Sequence, residues 1–113
     1  MNSVGTAGGL LLMARKRYGI SASFMSEVLG FGTNTIRLYE KGAVPKSSHS
    51  IVIRIVCNPF GMKSYLDNSP RLIKEKKQFK KLYETVEKMC EEINAEVYKV
   101  KEEISNTYLF RKK

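Results

Sequence analysis

Cys57, Cys90 and His49 are the residues from which this chain could build a metal site or a nucleophilic centre, and their placement argues against either. The cysteines stand 33 positions apart and neither belongs to a CxxC pair, so no zinc-ribbon ligand set and no redox dithiol can be assembled from them. His49 is the sole histidine and lies in a polar stretch, where a surface or capping role is the plain reading. No GxGxxG, no GxxxxGK[ST] and no Ser, His and Asp constellation is present. The chain is therefore expected not to be an enzyme and to need neither a metal nor a cofactor.

Charge is the remaining chemical signal. Twenty Lys and Arg oppose eleven Asp and Glu in 113 residues, a net charge of +9 and a pI near 9.7, which points to a polyanion such as nucleic acid or to an anionic surface. The 42% hydrophobic and 27% charged content is that of a globular chain, of a length that suits one small domain plus an appendage. Its longest apolar runs are Leu10 to Ala14 and Ile51 to Cys57, the second broken by Arg54; both fall far below the roughly 18 residues of a membrane span. With no positively charged start before the first run and no small-residue cleavage pattern after it, the expected location is the cytoplasm.

The chain changes character at Asn68-Ser69-Pro70. Residues 1–69 are punctuated by glycine and carry eight Lys/Arg against three acids; residues 70–113 contain no glycine and carry twelve against eight, with Arg71, Lys74, Lys76, Lys77, Lys80 and Lys81 opposed locally only by Glu75. That run reads as a solvated helix face, or less simply as a phosphate-tracking surface. Two units are expected: a compact one over 1–69 and a long amphipathic helix over 70–113.

Turn signals cut the first unit into short helices. Thr6 can cap a helix to Tyr18 with Leu11, Ala14 and Tyr18 on one face and Gly19 as its stop. Ser21 can cap Ala22 to Leu29, with Met25, Val28 and Leu29 inward and Gly30 ending it. A third helix is expected from Gly32 or Thr33 to Lys41, ended by Gly42. The β-branched run Ile51 to Val56 could be a strand, but it has no strand partner nearby; Ser47 and Ser48 offer caps, so helix is predicted from Ser48 to Cys57. A fifth helix follows from Phe60 to Leu66.

The second unit reads as one helix from about Pro70, suited to a first turn, to about Phe110. Leu72, Phe79, Leu82, Val86, Met89, Ile93, Val97, Val100, Ile104 and Tyr108 form its apolar stripe, with heptad-like steps up to Ile93 and drift beyond. Such a stripe must be covered, by a second copy or by the first unit, and the segment from Phe79 to Ile104 is read as a dimer or partner stripe.

Residues 19–42, GISASFMSEVLGFGTNTIRLYEKG, carry the functional signal. A short helix, a turn at Gly30 to Gly32 and a second short helix have apolar Met25 and Leu29 opposite Ile36 and Tyr39, the pattern of a helix-turn-helix. That leaves Thr33, Asn34, Arg37 and Leu38 for the outward face, the one a DNA major groove would meet.

On Gly19, Ile20, Ser21, Ala22, Met25, Ser26, Leu29 and Gly30, then Thr35, Ile36, Tyr39, Glu40 and Gly42, the stretch resembles the Cro/CI (Xre-type) helix-turn-helix family. The likeness covers roughly the first 60 residues, and LYEKGAVPKSSHSIVIRIV is most similar to the DNA-binding half of MqsA-like antitoxins, whose zinc-binding half has no counterpart here. The resemblance implies an all-α fold: a five-helix Cro/CI-type domain followed by the long helix. It implies base reading by Thr33, Asn34, Arg37 and Leu38, with Asn34 suited to adenine and Leu38 to a thymine methyl. It implies phosphate contacts from Gly32, Thr35, Lys41 and Lys46, and a structural ion pair between Arg15 and Glu40. Two positions depart from the family: Ala22 replaces its usual Gln, and Phe24 stands where a polar residue is common, so an exposed Phe24 would mark a partner surface.

Two functions are therefore expected to compete. One is a sequence-specific transcriptional regulator, a dimeric repressor on double-stranded DNA and in a special case an antitoxin that also holds a toxin protein. The other is a protein-interaction adapter built on the same helices, supported by Phe24 and Ala22.

Overall fold

The computed structural model describes residues 6–69 and 76–112, with side chains up to Thr107. Six helices account for the described chain, and no strand occurs among the described residues: α1 (Ala7–Tyr18), α2 (Ala22–Leu29), α3 (Thr35–Glu40), α4 (Ser47–Val56), α5 (Pro59–Asp67) and α6 (Lys77–Lys112).

Local chemistry sets most of these boundaries. Thr6 Oγ1 accepts from Gly9 N at 3.0 Å to open α1, and Gly19 closes it at φ 71°, a left-handed position where a side chain would be strained. Ser21 Oγ accepts from Phe24 N at 3.0 Å to open α2, and Gly30 at φ 72° closes it. Asn58 caps α5 through Phe60 N at 2.8 Å, with Pro59 in the first turn where its missing N–H costs nothing. The β-branched run is helical, with Ile53 and Val56 buried and Ile51 and Ile55 exposed. It opens at Lys46 without the expected serine cap.

Apart from the end of α6 at Lys112, other boundaries agree to within one residue, and two expected starts move further. α3 begins at Thr35, so Gly32 and Thr33 belong to the turn before it. α6 begins at Lys77 after a bend at Lys76; Pro70, Arg71, Leu72, Lys74 and Glu75 lie outside the described residues, as do the side chains of Tyr108 and Phe110.

One core joins the helices. Leu11, Met25, Val28, Ile36, Ile53, Val56, Met62 and Leu66 meet Leu82 and Val86 of α6, all fully buried. Buried Tyr18 donates to Val56 O at 2.6 Å, tying α1 to the end of α4, and Tyr65 donates to Val28 O at 3.3 Å, tying α5 to α2. α6 is latched to α5 where Tyr83 donates to Asp67 Oδ1 at 2.6 Å, with Lys63 bridging Asp67 at 3.1 Å and lying over the Tyr83 ring. An exposed pair, Lys76 to Glu27 at 2.9 Å, adds little.

The α6 stripe is divided. Phe79, Leu82, Val86 and Cys90 are buried against the chain's own bundle and Met89 packs beside them, so this half of the expected dimer or partner stripe is already occupied. Ile93 is half-buried, while Val97, Val100 and Ile104 are 44%, 50% and 61% exposed.

Gly8 is where α1 and α3 cross: a Cβ there would lie far inside van der Waals contact of the Tyr39 carbonyl. Gly8→Ala is expected to lower stability by about 1–3 kcal/mol, read from urea or thermal unfolding, because backbone must separate from backbone. Burial raises the Cys57 thiol from 9.0 to about 11 and pushes the Tyr18 phenol up as well. The folded state thus holds these protons more tightly than the unfolded chain, and its stability should be intact below about pH 9 and fall as pH rises through about 11, checked by urea melts across that window.

Candidate nucleic-acid interface

α3 is only six residues long, and four separate contacts hold it in place. Its inner side chains Ile36 and Tyr39 are buried. Its backbone crosses α1 at Gly8. Its first turn is capped from α2, since buried Ser26 Oγ accepts from Ile36 N at 3.3 Å while Ser26 O accepts from Phe31 N at 2.9 Å. Its last residue, Glu40, is gripped by Arg15 through two bonds, Nε to Oε2 at 2.8 Å and Nη2 to Oε1 at 3.0 Å, and Nη1 of the same guanidinium donates to Ile20 O at 3.2 Å. The bond to Glu40 raises the pKa of Arg15 further, against the opposing effect of burial. One cation thereby ties α1, the α1–α2 turn and α3 together.

The outward residues are those the sequence selects. Thr33, Asn34, Arg37 and Leu38 are all exposed, Leu38 at 54% although it is apolar. Asn34 is the residue before α3 and sits at φ 67°, the left-handed region that asparagine tolerates better than most residues. Its side chain makes no capping bond to α3. Gly32, Lys41 and Lys46 are exposed around the same helix and Thr35 is half-buried, with Gly32 O accepting from Thr35 N at 3.0 Å. Along the chain Gly32 thus precedes the expected base-reading residues and Lys41 and Lys46 follow them, while Gly32 and Thr33 lie before the helix instead of forming its first turn.

Phe24 is 7% exposed and Ala22 equally so; both face the core, so neither marks a partner surface and the adapter reading loses its two supporting features. Phe24 lines a cleft with Leu82 and Thr85 of α6, where a polar residue would leave apolar surface uncovered.

Two residues have roles that the sequence reading does not assign. Ser26 is the only buried polar residue among those described, visible in the sequence only as a small polar residue amid Met25, Val28 and Leu29. His49 is half-buried, stacked on Phe31 at 3.7 Å and 12°, and Tyr39 Oη lies 2.8 Å from its Nδ1. It pins the start of α4 to the turn before α3, which corrects its reading as a surface or capping residue. Among the described residues no group of three or more His, Cys, Asp and Glu could hold a metal ion, and no helix is long and apolar enough to cross a membrane.

No family model matches this chain, and no curated protein or solved structure with which it was compared is similar to it.

Arg15→Ala and Glu40→Ala should each cost about 1.5–3 kcal/mol in unfolding free energy, as expected for a hydrogen bond to a charged group. The double replacement should cost less than the sum of the two, and a double-mutant cycle on urea melts reads that coupling.

Proposed function

We propose that this protein is a sequence-specific DNA-binding regulator in which α2 and α3 act as a helix-turn-helix, α3 enters the major groove, and two copies bind a two-fold symmetric site. The observation that carries the reading is α3 itself: a short helix fixed by its inner side chains, Ser26 and Arg15, with Asn34 exposed just before it, Arg37 and Leu38 exposed on it, Lys41 exposed at its C-cap and Lys46 exposed at the start of α4. A rigid mount and an exposed face of mixed polarity are what base reading requires.

In this reading Asn34 pairs with adenine, Leu38 sits on a thymine methyl, and Thr33 and Arg37 complete the base-facing set. Gly32, Thr35, Lys41 and Lys46 hold phosphates and set the register. The net charge of +9 supplies the salt-dependent, sequence-independent part of affinity. Occupying a promoter makes the protein a repressor in the cytoplasm. An antitoxin would be the special case in which the distal part of α6 also holds a toxin protein.

The test is selection of bound duplexes from a randomised pool, followed by gel-shift titration across salt. A selected site should show half-sites about 34 Å or a multiple apart. Asn34→Ala and Arg37→Ala should each lose about 1–3 kcal/mol and relax the preference at one base position, while Lys41→Ala should weaken all sequences alike and flatten the salt slope. A pool that yields no preferred sequence, or a preferred site indifferent to both Asn34→Ala and Arg37→Ala, would overturn the proposal.

A further inference from the structure

Between the α1–α2 turn and the first turns of α6 lies a cleft of about 520 Å³, to which α3 contributes nothing. One wall is the end of α1 and the turn after it, from Arg17 to Ser21. The other is α6, whose Gln78, Lys81, Leu82 and Thr85 stand three, four and seven positions along from the first and so share a helix face. Buried Phe24 and Leu82 form the floor, with half-buried Ile20 beside them. The volume falls within the roughly 300–1,000 Å³ of small-molecule sites.

The charged lining of this cleft has one sign. Arg17 and Lys81 are exposed cations, no Asp or Glu lines the cleft, and neither cation makes an ion pair with a described residue. Arg17 also borders a second hollow with Glu92 and Glu96, and it pairs with neither. Ser21 Oγ accepts from Phe24 N at 3.0 Å, which leaves its own proton to donate, and the Gln78 amide adds two further donors. Thr85 Oγ1 donates to Lys81 O at 2.9 Å, so toward the cleft it only accepts.

We infer that this cleft binds a small organic anion with an apolar body, of the class of aromatic carboxylates. The carboxylate pairs with the planar Arg17 guanidinium and the Lys81 ammonium, with Ser21 and Gln78 as supporting donors, and the ring lies over Ile20, Phe24 and Leu82. Each half of the lining excludes a simpler occupant. A bare phosphate is strongly hydrated and would lose water against Phe24 and Leu82 without gaining a contact there. A neutral aromatic would cover the floor and leave both cations unpaired. The site uses none of the residues assigned to base reading or phosphate contact, so it is independent of DNA binding.

The experiment titrates naphthalene-2-carboxylate into the full chain by calorimetry, beside 2-naphthalenemethanol, which has the ring without the charge, and inorganic phosphate, which has charge without the ring. The carboxylate should bind at one site per chain, and the other two about tenfold more weakly or worse. Arg17→Gln and Lys81→Gln should each weaken it about three- to fivefold, the worth of an exposed charge pair. Lys80→Gln removes the same charge from α6 outside the cleft and should change nothing. Thr85→Phe should fill the cleft and abolish binding while urea melts show an intact fold; if it unfolds, the contrast between Lys80→Gln and Lys81→Gln still decides. No binding up to the solubility of the probe overturns the inference, as does equal binding of the alcohol or equal loss in Lys80→Gln and Lys81→Gln. Phosphate binding as tightly as the carboxylate, and weakened by Arg17→Gln and Lys81→Gln, shows a surface for phosphates and overturns the organic ligand. Each of these outcomes leaves base reading by α3 to its own test, the selection of duplexes.

Discussion

The grip of Arg15 on Glu40 is the interaction on which the arrangement of α1, the α1–α2 turn and α3 depends. A six-residue helix cannot hold itself in water, because the entropy of fixing its backbone exceeds what two or three internal hydrogen bonds return. α3 persists because its end is tied by two charge-assisted bonds, its start by Ser26, and its middle by Ile36 and Tyr39 in the core. The guanidinium spends its remaining donor on Ile20 O, so the turn between α1 and α2 shares the same anchor. Replacing Arg15 with Lys would keep the charge and lose the planar fork that reaches three acceptors at once.

Much of the architecture was readable in the sequence because it is written in local rules. Thr6, Ser21, Gly19 and Gly30 are stop and start signals whose mechanism needs only neighbouring backbone, and α1 and α2 have the predicted ends. The inward set Leu11, Ala14, Met25, Val28, Ile36 and Tyr39 follows from helical spacing. The face of α3 was legible for the same reason: once Ile36 and Tyr39 are inside, Arg37 and Leu38 must be outside.

What the sequence did not disclose depends on long-range partners. Phe24 becomes a core residue only because α6, more than fifty positions later, covers it with Leu82. His49 acquires its place from Phe31 and Tyr39, and neither spacing nor composition announces a stacked pair across a loop. The start of α3 slips by two residues because Asn34 adopts a left-handed conformation, which no periodicity encodes. The stripe of α6 is continuous in sequence, and only the bulk of the bundle decides where it passes from covered to bare.

Nothing interrupts α6 between Lys77 and Lys112: no glycine, no proline and no break in its helical assignment over 36 residues, or about 54 Å. A rod of that length without a joint has nowhere to absorb bending along its free half. Counted back from its tip, the first residues of α6 that the bundle covers are half-buried Ile93 and buried Cys90, so the unsupported part of the rod begins beside Arg17.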